Sequence, residues 1–219
     1  MAGLLRDDID WSTYERETEA QTLVKPASAF ADELGAEFVR RSKSQRSAMF
    51  STKLRNLIEF RPRELTVWAG FNGHRKSMFA GQVGLDLCMQ SEPVLAISLE
   101  MTPSRTLARM LRQAVAAAWP TQQQRDEFLH WTDGRLWLFD HVGRLSPSRC
   151  IAVCRYFAQE LQGRHVFIDS MMKVCESEES MDEQKRFVGD LCNLAEETGL
   201  HLHLVAHCRK PSGTGEDHP

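Results

Sequence analysis

Residues 70–77, Gly-Phe-Asn-Gly-His-Arg-Lys-Ser, match the phosphate-binding loop pattern G-x-x-x-x-G-K-[ST] at all but one of its fixed positions. In such loops, backbone N–H groups and a helix N-terminus hold a phosphate group, and the lysine reaches the terminal phosphates. The segment therefore predicts nucleotide binding. The expected nucleotide-binding residues are Gly70, Asn72, Gly73, His74, Arg75, Lys76 and Ser77.

The one mismatch, Arg75, falls at a position where the pattern relies on glycine. Glycine gives that position conformational freedom and lets the backbone approach the phosphates closely. An arginine side chain there must either point into the phosphate site or force the loop open. An ordinary strand-to-helix turn, with Gly70 and Gly73 as turn residues and Lys76 in solvent, therefore remains an alternative.

Three further polar residues stand at or just beyond the ends of predicted strands. A carboxylate just past a buried strand, as at Glu100, can act as general base on a water that attacks phosphate. Asp169 ends a mainly apolar strand, where a carboxylate can hold Mg²⁺ through water, and Ser77 would join that Mg²⁺ shell. His207 follows the last predicted strand and could sense a phosphate by hydrogen bond. A helix-start role for Glu100 and a turn role for Asp169 remain alternatives.

The elements that must position these residues alternate regularly after residue 60. Thr102-Pro103 and Ser146-Pro147 mark helix starts, and Gly199 marks the end of a helix over 181–198. Apolar strands alternating with amphipathic helices predict an α/β fold, a mostly parallel sheet with helices on both faces. Such sheets bind ligands at the carboxyl ends of their strands. The predicted strands are 65–69, 94–98, 135–139, 165–169 and 201–206.

Composition narrows the class of protein. The net charge of −3 gives no overall attraction to nucleic acid, so any such contact must be local. No apolar run has membrane-spanning length and the N-terminus lacks a signal-peptide core, so we expect a cytoplasmic protein without membrane contact. The six cysteines form no C-x-x-C pair and are predicted to be reduced core residues. His201 and His203 alternate in a strand, which predicts one shared sheet face rather than a metal site.

Several segments, in the correct order, resemble the RecA-like motor domain of replicative helicases of the DnaB, phage helicase-primase and Twinkle family. The similarity covers about residues 50–212. Ser98-Leu-Glu-Met101 looks like the DnaB motif, whereas other segments look more like phage helicase-primases and Twinkle. The segments that carry the resemblance are Arg61–Gly70 with the loop, Ser98–Met101, Asp140–Gly143, Asp182–Gly199 and His207–Pro211.

The resemblance implies a motor that hydrolyses ATP with Mg²⁺ between subunits of a homo-hexameric ring and translocates on single-stranded DNA. Carried over by position, Glu100 is the general base and His207 the phosphate sensor. Lys76 and Ser77 bind phosphate and Mg²⁺, and Asp169 is the Mg²⁺ carboxylate.

The predicted organisation has three parts. Residues 1–25 form a flexible N-terminal arm, and residues 26–49 hold a linker helix, which would dock on a neighbouring subunit, and a basic linker. Residues 50–219 form the RecA-like core, which we expect to be truncated at the C-terminus because DNA-binding loops and an arginine finger follow in the family. Truncation and Arg75 together predict weak or absent ATPase activity.

Two functions remain open. The first is the motor domain of a phage- or prophage-type replicative DNA helicase. The second is a non-catalytic helicase-like module that docks on a helicase ring or on DNA. A RecA-type recombination or regulatory ATPase is a third interpretation, against which the segments Ser98–Met101 and His207–Pro211 argue.

Overall fold

The computed structural model describes residues 26–32, 47–51, 53–55, 57–175 and 181–208. The chain divides into two units, Met1–Gln45 and Arg46–Pro219. In the first unit, the segment predicted as the linker helix contains a 3-10 turn, Ala27–Phe30. The N-terminal arm and most of that predicted helix lie outside the described residues.

A five-stranded parallel sheet organises the second unit. Its order is β3-β7-β6-β4-β5, and a separate antiparallel pair, β1 and β2, precedes it in the chain. The five predicted strands are all present, each end within one residue of its predicted position. The strands are β1 (Ser47–Ala48), β2 (Glu59–Phe60), β3 (Leu65–Gly70), β4 (Val94–Ser98), β5 (Leu136–Leu138), β6 (His165–Asp169) and β7 (His201–His207).

Helices connect the strands of the sheet and begin at clear capping signals. The side chains of Thr102 and Ser146 accept a hydrogen bond from the backbone N–H three residues later, and a proline follows each cap. Gly199, with φ of +77°, follows the last helix. The helices are α1 (Lys76–Met89), α2 (Pro103–Val115), α3 (Gln122–Thr132), α4 (Pro147–Glu160) and α5 (Met181–Thr198).

Two elements were not predicted from the sequence. Helix α3 starts with a capping box in which Thr121 and Gln124 each bond the other's backbone N–H, a signal that the sequence does contain. The β1–β2 ribbon is too short to show a hydrophobic period. It brings residues 47–49, which the sequence analysis assigns to the linker segment, into the second unit, where Met49 is buried in the core.

The two faces of the sheet bury different residues. In β6, Val166 and Ile168 pack with apolar side chains of α4 and α5, whereas Phe167 packs with those of α1. Side chains alternate along a strand, so Asp169 lies on the same face as Phe167. The terminal carboxylate of β6 is therefore on the side of the sheet where α1 begins.

The cysteines only partly follow their prediction. Cys88, Cys150, Cys154 and Cys175 are buried, and none of the described cysteines forms a disulfide. The prediction that all six are core residues is wrong for Cys192 and Cys208. Both are exposed, because the first lies on the outer side of α5 and the second just beyond the end of β7.

The ribbon is fixed to the end of α1 by Gln90. Its side-chain amide accepts a hydrogen bond from the backbone N–H of Ala48 and donates one to the Ala48 carbonyl, both at 2.9 Å. The same amide nitrogen donates to Asp86 at 2.6 Å. Ala48 is thereby paired on the side that faces away from β2.

Three buried histidines share one face of the sheet, as predicted for His201 and His203, whose rings lie 4.6 Å apart. The Trp68 indole N–H donates to His203 Nδ1, so His203 Nε2 must donate to His165 Nδ1, both at 3.3 Å. His165 Nε2 then donates to the Ser47 hydroxyl at 3.3 Å. This order of donors fixes His165 and His203 as neutral rings.

Burial keeps all three rings uncharged. It lowers the pKa of His165 to about 3, helped by repulsion from His201 and Arg164. Burial also lowers the pKa of His201, against a hydrogen bond to the Arg61 carbonyl and the charge of Glu64 that raise it. The pKa of His203 lies well below its ordinary value through burial and its two histidine neighbours.

This cluster predicts that the protein loses stability in acid. Unfolded histidines have a pKa of about 6.5, so below that pH the unfolded chain takes up protons that the folded rings do not bind. Stability is complete above about pH 6.5 and falls by up to about 1.4 kcal/mol per pH unit for each histidine. Urea unfolding between about pH 7 and about pH 4 measures this slope.

Two variants assign the slope. His203→Gln removes one titrating ring and lowers the slope by about a third of the cluster's share, although it also lowers stability at neutral pH. His130 is exposed on α3, so His130→Gln is the matched control and leaves the slope as in the wild type. An equal slope in His203→Gln and the wild type would contradict the assignment.

Candidate nucleotide-binding site

The loop at residues 70–77 has the strand–turn–helix geometry that its sequence predicts. Strand β3 ends at Gly70 and α1 begins at Lys76. Gly73 has a φ of +83°, in the left-handed region that favours glycine. Asn72, Gly73 and His74 lie on the exposed part of the loop, where the His74 ring contacts Phe71 with 5.6 Å between ring centroids. The loop thus directs the N-terminus of a 14-residue helix toward the carboxyl edge of the sheet.

Arg75 occupies the glycine position without breaking this path. Its φ of 59° and ψ of 26° lie in the left-handed region, and it is the N-cap of α1 with no side-chain cap. A residue with a Cβ atom is disfavoured there by about 1–2 kcal/mol. The side chain is exposed and makes no hydrogen bond or ion pair within the described part of the chain. The backbone therefore keeps a glycine-like conformation at an energetic cost.

Lys76 is held by the loop and by the neighbouring strand. Its Nζ donates to the carbonyls of Gly70 at 2.7 Å and Phe71 at 2.8 Å, and lies 3.1 Å from His207 Nδ1. Because an ammonium group only donates, His207 Nδ1 is the acceptor and Nε2 carries the proton. That Nε2 lies 3.8 Å from Glu100 Oε1. The structure thus joins three of the predicted site residues in one chain of contacts.

Ser170 completes this chain and was not identified from the sequence. Its hydroxyl donates to Glu100 Oε1 at 3.0 Å, and Ser170 itself is fully buried. The Glu100 side chain is 41% exposed, so it is fixed at one oxygen and still open to solvent. A carboxylate held in this way can receive a proton from a water molecule.

Asp169 is buried at the end of β6, next to Ser98 in β4. Burial raises the pKa of its carboxyl, whereas a hydrogen bond with the Ser77 hydroxyl lowers it; the charge of Glu100 raises it, and Arg109 and His207 lower it. Its Oδ1 has no hydrogen-bond partner within the described residues. A carboxylate oxygen without a partner beside a serine hydroxyl is an oxygen donor set that suits Mg²⁺.

Arg109 on α2 is a second residue of the site that sequence reasoning missed. Burial lowers the pKa of its guanidinium and the charge of Asp169 raises it, so the two groups face each other. With Thr106 and Gln113 it forms a polar stripe at helical spacing, and each of the three has a buried atom without a hydrogen-bond partner among the described residues. That stripe was the available signal, but the sequence analysis takes only the apolar residues of α2 as its inner face.

The predicted site residues therefore meet at one edge of the sheet. Strand β7 lies between β3 and β6, which puts Gly70 beside His207, and β4 follows β6. Lys76, His207 and Glu100 are in contact or close to it, and Asp169 interacts with Ser77.

Comparison with known proteins agrees with this architecture. A family model described as an AAA domain matches residues 41–213. The chain belongs to this AAA-domain family. Among solved structures, the ATPase domain of a DnaB-like helicase is similar to this AAA-domain chain, with a TM-score of 0.64 and 14% sequence identity. The likeness covers 84% of this chain and 72% of that chain.

At this identity the structural likeness shows the fold, a RecA-like α/β ATPase fold. The predicted fold class and the resemblance to the RecA-like motor domain of replicative helicases are confirmed. In the described part of this AAA-domain chain, none of the helices combines the length and the apolar character needed to cross a membrane.

The conformation of Arg75 predicts that Arg75→Gly stabilises the protein. Glycine adopts the left-handed region freely but loses more entropy on folding, so the net gain in the free energy of unfolding is about 1 kcal/mol. Urea unfolding without nucleotide measures it. Arg75→Ala removes the charge and keeps the Cβ atom, so it is the matched control. Equal stability of the glycine and alanine variants would exclude backbone strain at this position.

Proposed function

We propose that this chain is the motor domain of a phage- or prophage-type replicative DNA helicase, which binds and hydrolyses ATP with Mg²⁺. The supporting observation is the contact chain from Lys76 through His207 to Glu100, beside the buried carboxylate of Asp169. A phosphate-binding lysine, a polar strand end and a solvent-accessible carboxylate at one edge are what phosphoanhydride hydrolysis needs.

Nucleotide binding requires Lys76 to exchange partners. In the structure its charge is satisfied by two loop carbonyls and His207. The terminal phosphates of ATP, which lie at the N-terminus of α1 in this proposal, compete for the ammonium group with full negative charge. Ser77 and Asp169 would hold Mg²⁺, which when bound neutralises charge on the phosphate oxygens.

Hydrolysis in this proposal is an attack by water on the γ-phosphorus. The proton of the water passes to Glu100, and the bond between the γ-phosphorus and the oxygen that leaves with ADP breaks. Ser170 keeps Glu100 in place. His207 contacts both Lys76 and, more loosely, Glu100, so it is placed to report phosphate at the lysine to the general base.

The remaining parts of the proposal rest on the family resemblance. They are single-stranded DNA as the partner, duplex unwinding, assembly into a homo-hexameric ring and a cytoplasmic location. With a net charge of −3, DNA contact must come from local surfaces rather than the whole field. We further propose that ATPase activity is weak, because Arg75 places a bulky cation where the loop backbone meets the phosphates.

Arg75 also supports a second candidate, a helicase-like module that binds a partner without hydrolysis. If Lys76 stays with its own loop carbonyls, the site does not take up nucleotide. A nucleotide titration separates the two candidates, since the motor domain binds Mg-ATP and the module does not.

Nucleotide binding by this loop is tested with a fluorescent ATP analogue. We expect Lys76→Ala to weaken binding by at least about tenfold, because it removes a charge-assisted contact. Arg75→Gly should strengthen it. Lys185 is an exposed lysine on α5, so Lys185→Ala is the control and should bind as the wild type does. Equal binding by the Lys76 and Lys185 variants would contradict a nucleotide site at this loop.

The role of Glu100 is tested by single-turnover ATP hydrolysis in the Arg75→Gly background. Glu100→Gln should reduce the rate by about 10²–10⁴-fold and leave nucleotide binding intact, because the amide cannot accept the proton of the water. Ser170→Ala should reduce the rate less, since it only frees the carboxylate. Turnover at the background rate in Glu100→Gln would remove Glu100 from the role of general base.

A further inference from the structure

A cavity of about 30 Å³ lies between the sheet and helices α1 and α2. Ser98 and Asp169 line it from neighbouring strand ends, and Thr106 and Arg109 line it from α2. Ser77 lines it as well, so the cavity adjoins the loop proposed to bind phosphate. The remaining walls are mainly apolar.

Four polar atoms in this wall have no hydrogen-bond partner within the described residues. They are Ser98 Oγ, Thr106 Oγ1, Arg109 Nε and Asp169 Oδ1. Leaving a buried polar atom unpaired is strongly unfavourable, and four together would remove much of a domain's stability. The set is complementary, since two hydroxyls can donate and accept, the carboxylate accepts and the guanidinium donates.

Water satisfies such a set. One internal water needs about 10–15 Å³ and two to four polar partners, so this cavity has room for about two waters. Two waters among four polar atoms supply the missing hydrogen bonds. They would connect α2 to the carboxylate at the end of β6.

Arg109 has a position that packing does not explain. Among the described residues lining the cavity, it carries the only positive charge, and that charge interacts with Asp169. Its Nη1 also donates to Met101 Sδ at 3.3 Å, next to Glu100 in the chain. Burying a guanidinium group is unfavourable unless it is well paired, and apolar residues fill such space at least as well. The arginine thus spans the ends of β4 and β6.

We propose that Arg109 is a positioning residue, which acts with cavity water to hold the Asp169 carboxylate in place for Mg²⁺. The inference rests on the proposed function of the site. Arg109 does not touch the reacting atoms; it acts through Asp169 and through the turn that carries Glu100. Through it, the position of α2 is coupled to the metal carboxylate.

The contact itself is tested without nucleotide by a double-mutant cycle in urea. Arg109→Met keeps the length of the side chain and removes its charge, so it should lower the urea midpoint by leaving Asp169 buried and unpaired. In the Asp169→Asn background the same change should lower the midpoint much less. Arg105→Met, on an exposed position of α2, is the control and should leave the midpoint unchanged. Equal losses in both backgrounds would overturn the proposed contact.

The water is tested by a high-resolution crystal structure of the whole chain. We expect ordered water within hydrogen-bond distance of Thr106 Oγ1 and Asp169 Oδ1. Thr106→Val keeps the shape of the side chain and removes one partner, so it should displace that water. A cavity without water in the wild type would overturn this part of the inference.

The role toward Mg²⁺ is tested by titrating the fluorescent ATP analogue with Mg²⁺ and with EDTA. Arg109→Met should lose about 10–100-fold of the affinity that Mg²⁺ adds, as expected for a partner of a metal ligand, and should bind unchanged in EDTA. Arg109→Lys should restore part of the loss. An equal loss with and without Mg²⁺ would mean a purely structural role. If the wild type gains no affinity from Mg²⁺, the proposed function fails, and the urea cycle still decides the contact.

Discussion

Parallel pairing of β7 between β3 and β6 is the constraint on which the candidate site depends. It ends the strands at one edge and sets Gly70 beside His207. A slip of one residue would turn Asp169 to the opposite face, among the apolar side chains of α4 and α5. The register between β6 and β7 is fixed in part by the stacked rings of Phe167 and His203, 4.0 Å apart. Core packing and site geometry are therefore one property of this sheet.

The site departs from the rules for stable folds at two points, and both lie beside the phosphate loop. Arg75 takes a backbone conformation that suits glycine, and Arg109 brings a cation into the wall of a buried cavity. Strained backbone and buried charge persist where the surrounding structure holds them, and such places cluster at functional sites. Here the surrounding structure is the rigid pair of β3 and α1 on one side and the polar stripe of α2 on the other.

The sequence was sufficient for features that depend on local chemistry. Strand ends, the proline-marked helix starts at Thr102 and Ser146 and the glycine stop at residue 199 all follow from neighbouring residues. Contacts such as Lys76 with His207 depend on strand order, which no local pattern contains. Arg109 escaped because a polar residue inside an amphipathic helix resembles an exposed one until its neighbours are known. The left-handed backbone at Arg75 likewise became visible only in three dimensions.

The side chain of Gln90 has a consequence for association between molecules. A strand pair as short as β1–β2 leaves backbone groups on its outer side that can recruit another strand, the usual start of aggregation. Gln90 accepts from the N–H and donates to the carbonyl of Ala48, as a third strand would. One amide thus closes the edge of the ribbon against addition of a foreign chain, and solubility of the domain rests in part on a single glutamine.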